Sequence, residues 1–197
     1  APNALVIVIT NPLDVMAYLM QKVTGFPSER VVGMAGVLDT ARYQAFLAAE
    51  LKVSVTSVSA FVLGGHGDDM VPVRSYTTCN GIPIERLIAT DRLDAIEKRV
   101  RGAGGEVVQL LKTGSAFYSP AASAIQMAES YLFDKKKVLA AAVHCKGEYG
   151  VKDIYLGLPI IMGAKGVEKI VQIDLTDAEK TALAKSAEAV RSQIAVL

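Results

Sequence analysis

Apolar and polar residues alternate along this chain in blocks whose period changes twice. Leu5-Val6-Ile7-Val8-Ile9 is a continuous apolar run rich in β-branched residues, the pattern of a short strand covered on both faces. It stops at Thr10-Asn11-Pro12, where Asn can cap and Pro can open a helix through about residue 24, ended by Gly25-Phe26-Pro27. Val31 to Met34 gives a second buried strand, and Asp39 begins a helix to about Leu51. Strand, helix, strand, helix predicts the tail of a parallel, doubly wound sheet.

After Ser59 the alternation breaks down. Ala60-Phe61-Val62-Leu63 and Val71-Pro72-Val73 read as short strands on either side of a glycine-rich segment. Leu93, Ile96, Val100, Ala103, Val107 and Leu110 follow three–four spacing, predicting a long amphipathic helix over 91–113. Gly102, Gly104 and Gly105 lie inside it, and at up to about 1 kcal/mol each they predict a kink or a close backbone approach. A further helix is expected over 121–132, then antiparallel strands over 138–143, 154–162 and 167–173. Thr176 and Glu179 have the spacing of a capping box. The helix they open has the apolar face Leu183, Ala187, Val190, Ile194 and Leu197. The predicted class is therefore α/β. Residues 1–36 complete a Rossmann-type parallel sheet, and residues 37–197 form a mixed α+β domain.

Composition narrows the function. A chain of 197 residues, 51% hydrophobic, can bury roughly 70% of its unfolded surface without disulfide or metal. A net charge of +1 argues against a nucleic-acid partner, which needs a basic face. Lys135-Lys136-Lys137 is read as a solvated turn. No apolar run approaches a membrane span. Cys79 and Cys145 have no metal-ligand spacing and are read as free thiols in a reducing, cytoplasmic compartment, with a single bridge between them as the alternative. No Gly-x-Gly-x-x-Gly or Walker loop occurs, and no metal site is expected. His144, inside a strand-like run, is assigned a structural place.

Three segments carry the candidate chemistry: Asn11-Pro12, Asp39-Thr40-Ala41-Arg42 and Gly64-Gly65-His66-Gly67-Asp68. Glycines on both sides leave the His66 ring approachable, and an imidazole titrating near neutrality suits a base that takes a hydroxyl proton and returns it. The bland reading is a loop histidine in a glycine turn. Asp39 and Arg42, three apart, share a helix face; alone they form a first-turn acid and an ordinary i,i+3 ion pair. With His66 they gain other uses. A buried Asp39 would fix the imidazole tautomer, and Arg42 would grip a substrate carboxylate with two parallel hydrogen bonds. Asn11 is a good helix cap by itself, yet it follows a parallel-type strand, where open α/β sheets bind ligands.

Together, residues 8–14, 34–42, 64–72 and 110–123 resemble the malate/lactate dehydrogenase family in order and approximate spacing, over essentially the whole chain. Met34-Ala35-Gly36-Val37 and Met70-Val71-Pro72 place the resemblance on the malate side. It implies His66 as proton acceptor, Asp39 as its partner, Arg42 on the substrate carboxylate, and Asn11 touching substrate and cofactor. The implied reaction is reversible NAD-dependent oxidation of malate to oxaloacetate, a tricarboxylic acid cycle step, in a homodimer or homotetramer. The family's glycine loop, ribose-binding acid and arginine-bearing lid have no counterpart here, so the chain reads as the second half of such an enzyme. The alternatives are a catalytically incomplete folded or oligomerising domain, and a lactate-type 2-hydroxy acid dehydrogenase.

Overall fold

The computed structural model describes residues 1–197. The first third follows the predicted alternation: β1 (Val6–Val8), α1 (Leu13–Thr24), β2 (Val31–Gly33) and α2 (Gly36–Leu51). β1 and β2 pair in parallel, Val6 opposite Val31. α1 ends where Gly25 takes a left-handed conformation and returns its amide to the Gln21 carbonyl. The expected asparagine cap is not formed. The helix is preceded by Pro12 in extended conformation, with no side-chain capping bond, because the proline itself occupies the cap position. α2 starts three residues earlier than expected, which puts Asp39 inside its first turn.

Small hairpins follow: β3 (Val58–Ser59), β4 (Val62–Leu63), β5 (Val71–Pro72), β6 (Thr78–Cys79) and β7 (Ile82–Pro83). β4 and β5 pair antiparallel, so residues 64–70 form the connection of a hairpin. α3 (Thr90–Leu111) and α4 (Tyr118–Leu132) come next, then β8 (Lys137–Lys146), β9 (Lys152–Gly163), β10 (Gly166–Ile170) and α5 (Asp177–Ile194). The expected kink in α3 is absent. The helix runs unbroken, and a Cβ built at Gly102, Gly104 or Gly105 would meet nothing within 4 Å. The α3 stripe is buried from Leu93 to Ala103, but Leu110 is 75% exposed.

One five-stranded sheet, ordered β1-β2-β8-β9-β10, carries the fold. The parallel tail joins the antiparallel strands through Gly33 opposite Ala142. Cross-strand pairs such as Val143–Leu156 and Leu139–Ile160 send one face of β8 and β9 into a 23-residue core. Met127 of α4 and Leu183, Ala187 and Val190 of α5 close that core. The other face, through Ala142 and Tyr155, packs on Leu13 and Ala17 of α1. α5 is fixed at its start by the predicted capping box: the Thr176 hydroxyl accepts the Glu179 amide while the Glu179 side chain accepts the Thr176 amide. α1, α2 and α5 are thus locked against the sheet, and all three touch the hairpin connection that carries His66.

Candidate active site

The connection between β4 and β5 is held at three successive residues. Gly64 and Gly157 of β9 exchange both backbone hydrogen bonds, at 2.9 and 3.0 Å. A Cβ at Gly157 would collide with the Gly64 carbonyl, so the two chains meet at a distance only glycine permits. The Gly65 amide donates to Ser186 Oγ of α5 at 2.8 Å. The His66 amide donates to Asp14 Oδ2 of α1 at 2.8 Å. Sheet, α5 and α1 each grip one residue of the loop, which fixes the imidazole from its backbone outward.

The ring is fixed from its other end by α2. His66 Nδ1 lies 2.7 Å from Asp39 Oδ2, and Asp39 is only 2% exposed. An ionised carboxylate can only accept, so Nδ1 carries the hydrogen and Nε2 is left as the proton acceptor. Burial pulls the His66 pKa down, but the Asp39 hydrogen bond and the charges of Asp39 and Asp14 outweigh it and leave it raised above 6.5. Arg42 reaches the other Asp39 oxygen with one Nη at 3.4 Å. The plain ion pair and the triad geometry are therefore both present, and most of the guanidinium fork remains free for a ligand. Thr40 adds a tie between helix and hairpin, its hydroxyl accepting the Val62 amide at 3.0 Å.

Asn11, Arg42, His66, Asp68 and Arg101 line one open cleft of about 470 Å³. Three of the four residues singled out in the sequence line it, Asn11 from the end of β1, Arg42 from α2 and His66 from the hairpin, while Asp39 of α2 lies behind the ring, against His66 Nδ1. Gly104 and Gly105 line the same cleft. Their lack of side chains leaves it open, a different use from the predicted kink. His144 stands apart on β8, opposite Tyr155 with ring centroids 5.7 Å apart. Cys79 and Cys145 are both free. No helix is long and apolar enough to cross a membrane.

Three residues escaped the sequence reading. Arg101 lines the cleft with Nε donating to the Met70 carbonyl at 3.1 Å, and nothing in its heptad-like surroundings marks it. Ser186 and Asp14 did carry a signal. Each is a polar residue on the buried face of its helix, Ser186 beside Leu183, Ala187 and Val190, and Asp14 beside Leu13 and Ala17. A polar group there needs a partner, and both partners are amides of the His66 loop.

Comparison with known proteins accounts for the whole chain. Residues 36–196 match the lactate/malate dehydrogenase alpha/beta C-terminal domain, and residues 1–33 match the NAD binding domain of the same enzymes. A malate dehydrogenase of Roseiflexus sp. (strain RS-1) is 54% identical over 197 residues, covering all of this chain and 64% of the relative. A crystal structure of Cryptosporidium parvum malate dehydrogenase superposes with a TM-score of 0.98 at 44% identity, over 100% of this chain and 64% of that one. A lactate dehydrogenase from the same organism, complexed with lactic acid and nicotinamide adenine dinucleotide, gives 0.97 at 47% identity, over 100% and 63%. The chain thus spans a little under two thirds of the length of the relatives it matches. With the loop, the carboxylate and the arginine in this arrangement, and with matches of this extent, the chain belongs to the lactate/malate dehydrogenase family.

Proposed function

We propose that the polypeptide carrying this chain is an NAD-dependent malate dehydrogenase. Residues 1–36 would form the last part of its cofactor domain, and residues 37–197 its substrate-binding domain. The observation that carries the reading is the His66–Asp39 contact of 2.7 Å, with Arg42 beside it on the same cleft. In malate oxidation Arg42 binds the carboxylate next to the reacting carbon through its free guanidinium edge. His66 starts neutral and takes the hydroxyl proton at Nε2, while Asp39 holds the Nδ1 hydrogen and steadies the imidazolium that forms. In oxaloacetate reduction His66 starts protonated and returns that proton to the oxygen. Its raised pKa favours the form needed to begin this direction.

The cofactor reading fits the chain's own geometry. Asn11 is exposed at the carboxyl end of β1, beside a parallel pair, and lines the cleft with His66. Its amide would contact the nicotinamide end of NAD and the substrate. Bound NAD would supply the acceptor for the hydride leaving C2. Assembly as a homodimer or homotetramer is supported by the apolar surface of α3 and α4, where Leu110, Tyr118, Ile125 and Leu132 are all more than half exposed. A cytoplasmic role in the tricarboxylic acid cycle is consistent with two free thiols and with this substrate.

The likeness to a lactate dehydrogenase at 47% identity supports a second reading, in which the substrate is a monocarboxylic 2-hydroxy acid. NADH oxidation by the full-length polypeptide, compared with oxaloacetate and with pyruvate at equal concentration, separates the two. Faster turnover of oxaloacetate is expected. Faster turnover of pyruvate would replace the malate reading with the lactate one.

A further inference from the structure

The loop that presents His66 rests on a carboxylate that the reaction above does not use. Asp14 lies in the first turn of α1 and is 5% exposed. Its Oδ2 accepts the His66 amide at 2.8 Å, while Oδ1 is buried with no hydrogen-bond partner at all. Holding an amide does not require this. A neutral asparagine or serine could accept the same bond without carrying a buried, half-satisfied charge. Nor is the loop short of anchors, since Gly64 is paired with Gly157 and Gly65 with Ser186. What a charge does here, and a neutral acceptor cannot, is act on the imidazole.

We infer that Asp14 is a positioning residue for His66: it holds the histidine backbone and adds a second negative charge, besides Asp39, that favours the protonated ring. The inference rests on reading His66 as the proton acceptor of the cleft. The charged and titratable surroundings are few. Asp39 and Arg42 face His66 from α2, Asp68 and Asp69 belong to its own loop, and Arg101 shares the cleft from α3. From α5 the polar residues lining this region are Ser186 and Gln193, neither of them charged, with Lys185 turned to Asp69 at 3.6 Å. Asp14 itself is influenced by His66 and Asp39, and it acts in turn on the buried Cys145 thiol of β8. No lysine or arginine pairs with Asp14, so its only nearby cation is the ring it would stabilise.

Burial pushes the Asp14 pKa up to about 6, against the pull of the His66 amide and charge. Asp14 is therefore ionised at neutral pH, and its support for the imidazolium disappears on acidification as the carboxylate takes up its proton. The two groups share one coupled titration.

Two histidines in the chain make the test direct. Imidazole NMR titration of the 197-residue chain follows His66, with His144 as an internal control. In Asp14→Asn the His66 midpoint should fall by about 0.5 pH or more, the order expected for losing a nearby opposite charge, while His144 stays in place. A His66 midpoint unchanged to within about 0.2 pH would overturn the inference, because the charge would then have no hold on the ring. Should the variant fail to fold, the wild-type Asp14 carboxyl carbon decides. Two coupled steps, one tracking His66, support the role; a single step in the ordinary aspartate range overturns it. Neither readout needs turnover, so a failure here is distinct from a failure of the dehydrogenase reading.

Discussion

Replacing Asp14 with Asn should change how stability depends on pH, in a direction opposite to the usual effect of losing a carboxylate. Most carboxylates that matter to a fold have depressed pKa values and stabilise it at neutral pH. Asp14 is the reverse, raised from 3.8 to about 6 by burial. The native state then binds its proton more tightly than the unfolded chain, so this group's contribution is greatest below 3.8 and declines as pH rises to 6. The full decline is about 3 kcal/mol, from 1.36 kcal/mol per pKa unit, and most of it falls between pH 4 and 7. The variant's carboxamide does not titrate and has no such dependence. Urea unfolding of both proteins at pH 4, 5, 6 and 7 measures the difference between them, in which titrating groups other than Asp14 and His66 largely cancel; the lower His66 midpoint of the variant adds to the difference in the same direction. Any fixed penalty for a buried carboxamide cancels as well. The variant should gain on the wild type by about 2 kcal/mol across that range. A difference constant to within about 0.5 kcal/mol would show that Asp14 does not hold its proton more tightly in the folded state, and so would a variant that loses ground as pH rises.

Other consequences concern packing and thiol chemistry. Gly157→Ala would drive a methyl group into the Gly64 carbonyl; with β9 fixed by its neighbours, a loss of about 1–3 kcal/mol in chemical denaturation is expected, and an unchanged midpoint would contradict the close approach. Cys145 is buried and its thiol is pushed up to about 12, whereas Cys79 is half-buried. Alkylation of the folded chain at pH 8, read by peptide mass spectrometry, should label Cys79 well before Cys145, and both at similar rates in urea. Equal labelling in the folded state would show that the β8 core is not closed.

The sequence made some of this architecture readable and hid the rest for identifiable reasons. β1, α1, β2 and α2 were legible because β-branched runs and helical spacing coincide with punctuation at Gly25 and Pro27. The capping box at Thr176 was legible because its signal is local, four residues wide. Asn11 misled because a local rule favours Asn at a helix start, while the adjacent Pro12 had already taken the cap position. The α3 glycines misled because glycine signals either backbone freedom or missing volume. Here it is the volume that matters, beside the cleft. His66, Asp39, Arg42 and Asn11 could be named from residue chemistry and family likeness; the structure brings His66, Arg42 and Asn11 to one cleft and sets Asp39 behind the His66 ring. The supports of the His66 loop were harder to see. Ser186 is 121 residues from Gly65 and Asp14 is 52 from His66, so only a polar residue on an apolar helix face hinted at them.

The proposed function requires that His66 exchange a proton with substrate. Steady-state NADH oxidation with oxaloacetate, by the full-length polypeptide and its His66→Asn variant, measures whether it does. Removal of a general acid–base should lower kcat by about 10²–10⁴-fold, with the folded state preserved by circular dichroism. Turnover left unchanged in the variant would contradict the claim, whatever the geometry around Asp39 and Arg42.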